Sequence, residues 1–166
     1  IYNGNNLVTS NITADATGPV FTFNSQRGAS AVDAVDDDVL GTIEFTGYDD
    51  GTPSTQTYAS IEGNIHDSNS GTEKGKIDFY VARGGTNSLA LSIEGTHSTY
   101  STISMPNTTR LYFDGGGDTF ISEPSGGDEL KFTVGGTDIM SLNEVGVEGD
   151  IVKFKNACAG FNQFEP

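Results

Sequence analysis

The chain has a single cysteine, Cys158, no tryptophan and only two histidines. A lone cysteine excludes an intrachain disulfide, so the fold is not a small stapled secreted domain. Two histidines and one cysteine do not make a spaced metal motif. His66 reads as a solvated residue in a polar loop, and His97 is remote from it in sequence. Basic residues are equally scarce, 8 Lys and Arg against 23 Asp and Glu, for a net charge of −15. Such an acidic surface repels phosphate backbones and anionic lipid, which argues against nucleic acid and membrane surfaces as partners. The plain reading of the charge is solubility; the sharper one is a cation-binding or salt-adapted surface. No run of 18 or more apolar residues occurs, so no membrane-inserted helix is expected. The chain opens Ile1-Tyr2-Asn3-Gly4, without Met or a signal-peptide pattern, and reads as an internal or processed piece of a longer polypeptide.

Motifs for chemistry are also missing. No Gly-x-Ser-x-Gly elbow occurs, and the Gly-rich turns lead into strands rather than into helices that could cradle phosphate. Asp36-Asp37-Asp38 and Asp49-Asp50-Gly51 gather oxygens suited to calcium, yet neither has the alternating ligands and final Glu of an EF-hand loop. With 23 acids, carboxylate pairs at glycosidase spacing arise by chance. Asn11-Ile12-Thr13 and Asn107-Thr108-Thr109 match the glycosylation sequon, a frequent coincidence in a chain rich in Asn and Thr. The expectation is therefore a protein without catalytic residues, metal site or cofactor.

Short alternating segments separated by glycine fill the chain instead. Its 22 glycines accompany an apolar fraction of 34%, low against the roughly 45–50% of ordinary domains, a figure that includes Gly. No stretch of a dozen residues holds apolar residues at helical spacing. The Ala-rich run 29–40 ends in three Asp that oppose a helix dipole, so a turn or irregular loop is expected there. Period-two alternation recurs at Val20–Asn24, Thr42–Tyr48 and Tyr58–His66. It returns at Lys76–Ala82 and Leu89–Glu94, then around Leu111, Leu130–Val134, Met140–Leu142, Val145–Val147 and Val152–Phe154. That makes about ten strands and an all-β fold. Gly84-Gly85, Gly115-Gly116-Gly117 and Gly135-Gly136 each sit between two apolar runs, as hairpin turns require. They mark a loosely repeated hairpin rather than a solenoid of fixed period.

The organisation read from these signals is an N-terminal extended segment (1–23), a main β module (24–96), a linker (97–108), a hairpin-rich β module (109–156) and a C-terminal tail (157–166). In the main module each strand offers two or three large apolar residues on one face. Stripes that thin bury little in a single chain, so the core is expected to be completed by other copies. Ile61, Ile65, Phe79, Leu91 and Ile93 are the candidates for that shared core. Phe79→Ala is expected to cost roughly 3–5 kcal/mol if its ring is buried, and Glu94→Ala, on the polar side, less than about 0.5 kcal/mol.

Arg27-Gly28, Ala34-Val35, Asp38–Gly51, Ala59–Ile65, Gly75–Val81 and Leu91–Gly95 together resemble the shaft and receptor-binding modules of tailed-bacteriophage tail fibres, a resemblance that covers residues 24–96. Leu111–Phe154 is similar, less specifically, to the short β-repeats that follow in such fibres. The resemblance implies an intertwined homotrimeric β-fibre, with β-prism or β-sandwich-like modules of short antiparallel strands. It further implies a virion, extracellular location, other virion proteins as neighbours, and a host-surface glycan or protein as the target. It brings no shared catalytic residues. Tyr100, in the polar stretch 97–109, is the candidate sugar contact, because its ring can stack while its hydroxyl bonds; packing against a neighbouring chain is the alternative role. The competing functions are a tailspike-like polysaccharide depolymerase and a cellular extracellular adhesion module.

Overall fold

The computed structural model describes residues 18–25, 33–96, 98–124, 128–143 and 151–154, the last four as backbone. Every regular element among them is a β-strand, so the described protein is all-β. The first five strands are β1 (Val39–Tyr48), β2 (Thr55–Asp67), β3 (Lys74–Arg83), β4 (Thr86–Glu94) and β5 (Thr102–Ser104). The others are β6 (Arg110–Tyr112), β7 (Phe120–Ser122), β8 (Glu129–Val134), β9 (Thr137–Asn143) and β10 (Ile151–Phe154). They form two sheets, ordered β1-β2-β3-β4-β5 and β10-β9-β8-β7-β6, in which sequence neighbours pair. The chain divides into two compact units with the changeover between Thr102 and Ile103, Leu89–Leu91 being grouped with the second.

Glycine sets the hairpins. β3 and β4 are joined by Gly84-Gly85, with φ of 60° and 80°, and β8 and β9 by Gly135-Gly136, with φ of 57° and 71°. Two successive positive φ values define the hairpin turn whose twist matches its strands, and a side chain is strained there. In the first sheet the register places Ile43 opposite Ile61 and Ile61 opposite Phe79. Since cross-strand partners share a face, the period-two stripes of β1, β2 and β3 merge into one apolar surface.

Four expectations change. Val20–Asn24 forms no strand; its alternating rings pack instead, Phe21 edge-on to Phe23 with centroids 4.9 Å apart. Phe23 lies over Gly41, where an added Cβ would come within 2.6 Å of the ring, so only glycine permits this approach. The stretch 97–108 holds a strand, β5, that hydropathy alternation does not reveal in three residues. β7 escaped for the same reason. His66 belongs to β2 rather than to a loop, half-buried with Nδ1 3.7 Å from Glu94 Oε2. The described part of the Ala-rich run is a turn at Asp36-Asp37 leading into β1, as its acids suggest. His97, Val145–Val147, the Asn11 sequon, Cys158 and the tail 157–166 lie outside the described residues.

Burial is inverted relative to an ordinary domain. Among the described residues no large apolar side chain is buried, while Ser60, Asn64, Asp78, Ser92 and Thr133 are. Phe79, expected at the centre of a core, is only half-buried within one chain. A truncation there removes contacts that this chain alone only half supplies.

The loops are closed by carboxylates. Asp49 accepts from the Ser54 amide (3.1 Å) and hydroxyl (2.7 Å), clasping the β1–β2 loop. Asp36 Oδ1 accepts from both the amide and the hydroxyl of Ser68, each at 2.8 Å. Asp67 accepts from Asn69 and pairs with Lys74 across the β2–β3 loop. Asp114 accepts from the amides of Gly117, Asp118 and Thr119 at 3.0, 2.8 and 2.7 Å. At Asp49, Asp67 and Asp114 these bonds favour the ionised carboxyl. Asp49 is held below its ordinary value by Ser54, and Asp67 by Lys74 and Asn69. At Asp114 desolvation opposes the shift, and the three amides outweigh it.

The sign of the pH dependence follows. A depressed folded-state carboxyl contributes stability above its unfolded pKa and loses it as pH falls through the folded value. The urea midpoint is expected to hold near neutrality and fall as pH drops from about 4 downwards. Asp114→Asn should flatten part of that acid limb; an unaltered limb would remove the clasp from the account. In the same series Gly135→Ala should cost about 1–2 kcal/mol, from the left-handed backbone it would impose on a side chain, and Gly135→Asn less.

Candidate functional site

Two faces of the first sheet differ in chemistry. On one, Gly41, Ile43 and Phe45 of β1 lie opposite Gly63, Ile61 and Ala59 of β2. These in turn lie opposite Ile77, Phe79 and Val81 of β3. Ser92 Oγ donates to Asp78 Oδ1 at 2.6 Å, which puts Ser92 on the opposite face and therefore Leu91 and Ile93 on this one. The five residues expected to form a shared core, Ile61, Ile65, Phe79, Leu91 and Ile93, thus occupy a single face. Nothing among the described residues covers its breadth: Ile43 is 44% exposed, Phe45 54% and Val81 49%. Phe23, over Gly41, occupies one corner. A continuous exposed apolar patch of this kind marks an interaction surface.

The opposite face is polar and the more deeply buried of the two. The register sets each short polar side chain beside a long one: Ser60 by Tyr80, Asn64 by Lys76, and Asp78 by Glu62. Their neighbours shade them from water. Asp78, 3% exposed, is the hub. Its carboxylate accepts from Ser92 on β4 and from Asn64 Nδ2 on β2 (3.4 Å). It also accepts from the Tyr80 hydroxyl (3.4 Å) and pairs with Lys76 Nζ at 3.3 Å. Burial by itself would lower the Lys76 ammonium; the bond and charge of Asp78, with Asp37 behind it, hold it above the usual lysine value. Burial pushes the Tyr80 hydroxyl up, helped by the Asp78 and Glu62 charges, which keeps it a neutral donor. A separate contact on this face runs from Asn87 Nδ2 to Ser60 Oγ at 2.9 Å.

Tyr100 stands away from both faces' central rows, 59% exposed between β4 and β5. Among the described residues no cluster of three or more metal-ligating side chains occurs. Asp36 Oδ1 and both oxygens of Asp49 accept from protein donors, so these acids act as loop clasps. Sequence reading missed the Asp78 hub. A buried carboxylate looks like any solvated one until the register brings Ser92, Asn64 and Lys76 around it.

No protein-family model, curated protein or solved structure matches this chain.

Removing the hub leaves the Lys76 charge and three donors without their acceptor. Asp78→Ala is expected to cost about 3 kcal/mol, the low end for breaking a buried ion pair because Lys76 is partly solvated. Glu94→Ala, which loses only the 3.7 Å pairing with His66, should stay within about 0.5 kcal/mol. Equal losses in urea unfolding would contradict the hub.

Proposed function

We propose that the chain is a structural component of a virion fibre or spike, of the tailed-bacteriophage kind, that projects from the particle and contacts the host surface. Three copies close their apolar faces on a common axis, with Ile61, Ile65, Phe79, Leu91 and Ile93 in the shared core. The observation that carries this reading is the uncovered face of the first sheet. Fully burying one large apolar side chain is worth roughly 1.5–3 kcal/mol. The five core candidates are already largely covered within one chain, so the main gain comes from the half-exposed Ile43, Phe45, Ile77 and Val81, on the order of 1 kcal/mol each, with smaller gains from the five. Summed over the face, that rivals the roughly 5–15 kcal/mol that holds a whole domain together. A chain whose described part has no apolar core gains its stability from association, as obligate oligomers do.

The reading carries a binding role without turnover, on the virion and outside the cell. Its partners are other virion proteins and a host-surface glycan or protein. Tyr100, exposed beside β5, is offered as one contact with that target.

Sedimentation tests the assembly. The wild type is expected at three times the 17.5 kDa chain mass, independent of concentration in the micromolar range, and Ile61→Asp is expected to abolish the trimer. A fully folded wild-type monomer at all concentrations would sink the fibre reading. New reducing ends from host polysaccharide incubated with the protein would replace the binder with a depolymerase.

A further inference from the structure

The second sheet carries a cation that its acidic surroundings leave unclaimed. Among the described residues, carboxylates within ion-pair reach of a basic group serve His66, Lys74, Lys76 and Lys131. None serves Arg110 or the exposed Arg83, in a chain with 23 acids and 8 Lys and Arg. Arg110 is nonetheless held in place. Its guanidinium carbon lies 4.4 Å from the centroid of the Phe120 ring, and Nη1 donates to the Tyr112 hydroxyl at 3.2 Å. Tyr112 and Phe120 face each other across the β6–β7 pair, with centroids 5.2 Å apart and planes tilted by 58°. Ser122 lies opposite Arg110 in the same register. Lys131, opposite Ser122 on β8, is neutralised by Glu129 at 3.4 Å and Asp138 at 3.6 Å.

We propose that Arg110, Tyr112, Phe120 and Ser122 form a binding site for an acidic sugar, a hydroxyl-rich ring bearing a carboxylate. A guanidinium stacked on an aromatic ring has little rotamer freedom left to lose, and its fork matches a carboxylate through two parallel hydrogen bonds. The aromatic pair offers an apolar surface for the C–H face of a sugar ring, and the Tyr112 and Ser122 hydroxyls offer polar contacts at its rim. One unpaired cation suits one carboxylate. It does not suit a nucleic acid, whose affinity comes from neutralising many phosphates at once. The carboxylates of Glu129 and Asp138 bound the site on the Lys131 side and confine an anion to the Arg110 end. The inference rests on the proposed attachment role only in expecting a surface ligand; the site lies wholly within β6 and β7 and does not depend on the trimer.

Calorimetric titration of the full chain with methyl glucuronide, which bears one carboxylate, and with neutral methyl glucoside tests it. The acidic sugar is expected to bind and the neutral one to bind at least about tenfold more weakly, the loss of one charge-assisted contact. Arg110→Gln should weaken the acidic sugar by about tenfold or more with its circular dichroism and sedimentation unchanged. Arg83→Gln, an exposed basic residue on the first sheet, should bind as the wild type does. Absence of binding by the acidic sugar, equal binding of the neutral one, or an unaffected Arg110→Gln would overturn the site. Displacement by an equal concentration of inorganic phosphate would reduce it to a simple anion site and overturn the sugar assignment. A folded monomer in sedimentation sinks the fibre reading and leaves this titration intact, whereas lost binding with an intact trimer sinks only the site.

Discussion

Asp78 ties the three central strands of the first sheet together through its side chain. Ser92 reaches it from β4, Asn64 from β2 and Lys76 from its own strand. Among the described residues of the first unit no apolar side chain is buried, so no apolar interior fixes the register of this sheet. Here the fixing is done by a polar contact set on one face and by Gly-Gly turns at the ends. A one-residue slip would carry Asp78 to the apolar face and Phe79 to the polar one. That penalty is large even with no hydrophobic core, since a carboxylate without partners on an apolar surface loses both its hydrogen bonds and its counter-charge. The polar seam therefore specifies the pairing that presents the apolar face, and the proposed interaction surface is a consequence of the seam.

Much of this architecture was legible because period-two alternation survives in any strand long enough to display it. β1 to β4 each show the pattern over several residues and are flanked by Asp, Ser, Glu or Gly. Three-residue strands cannot show a period. β5 and β7 exist only because a neighbouring strand supplies their hydrogen bonds. The alternation of Phe21 and Phe23 misled for a related reason: the rings serve a contact with each other and with Gly41, not with a pairing partner.

The functional surfaces divide along the same line. The apolar face follows from alternation within each strand, so all five of its expected members fall on it. The Asp78 hub and the Arg110 cluster are cross-strand objects. Arg110 and Phe120 stand ten positions apart, and only the pairing of Tyr112 with Phe120 brings the guanidinium over the ring. His66 is similar: its place beside Glu94 depends on β2 and β4 sharing a sheet through β3. Side chains whose meaning lies in register are invisible to a reading that sees one strand at a time.

Charge placement bears on how copies of so acidic a chain could associate. Bringing three chains of net charge −15 together is opposed by self-repulsion unless the charges lie away from the contact. The face built from Gly41, Ile43, Phe45, Ile61, Phe79 and Val81 has no charged member in its register rows. The acids are spent elsewhere, in loop clasps at Asp36, Asp49, Asp67 and Asp114 and in the Asp78 hub. At physiological ionic strength, charges more than about 8 Å from the contact are largely screened. The proposed association then meets little electrostatic opposition at its core, while the acidic remainder keeps assembled copies from sticking to one another through their sides. The same segregation makes Arg110 conspicuous: on a surface dominated by acids, it is held on an aromatic ring with no carboxylate among the described residues paired to it, which is what the proposed anion site requires.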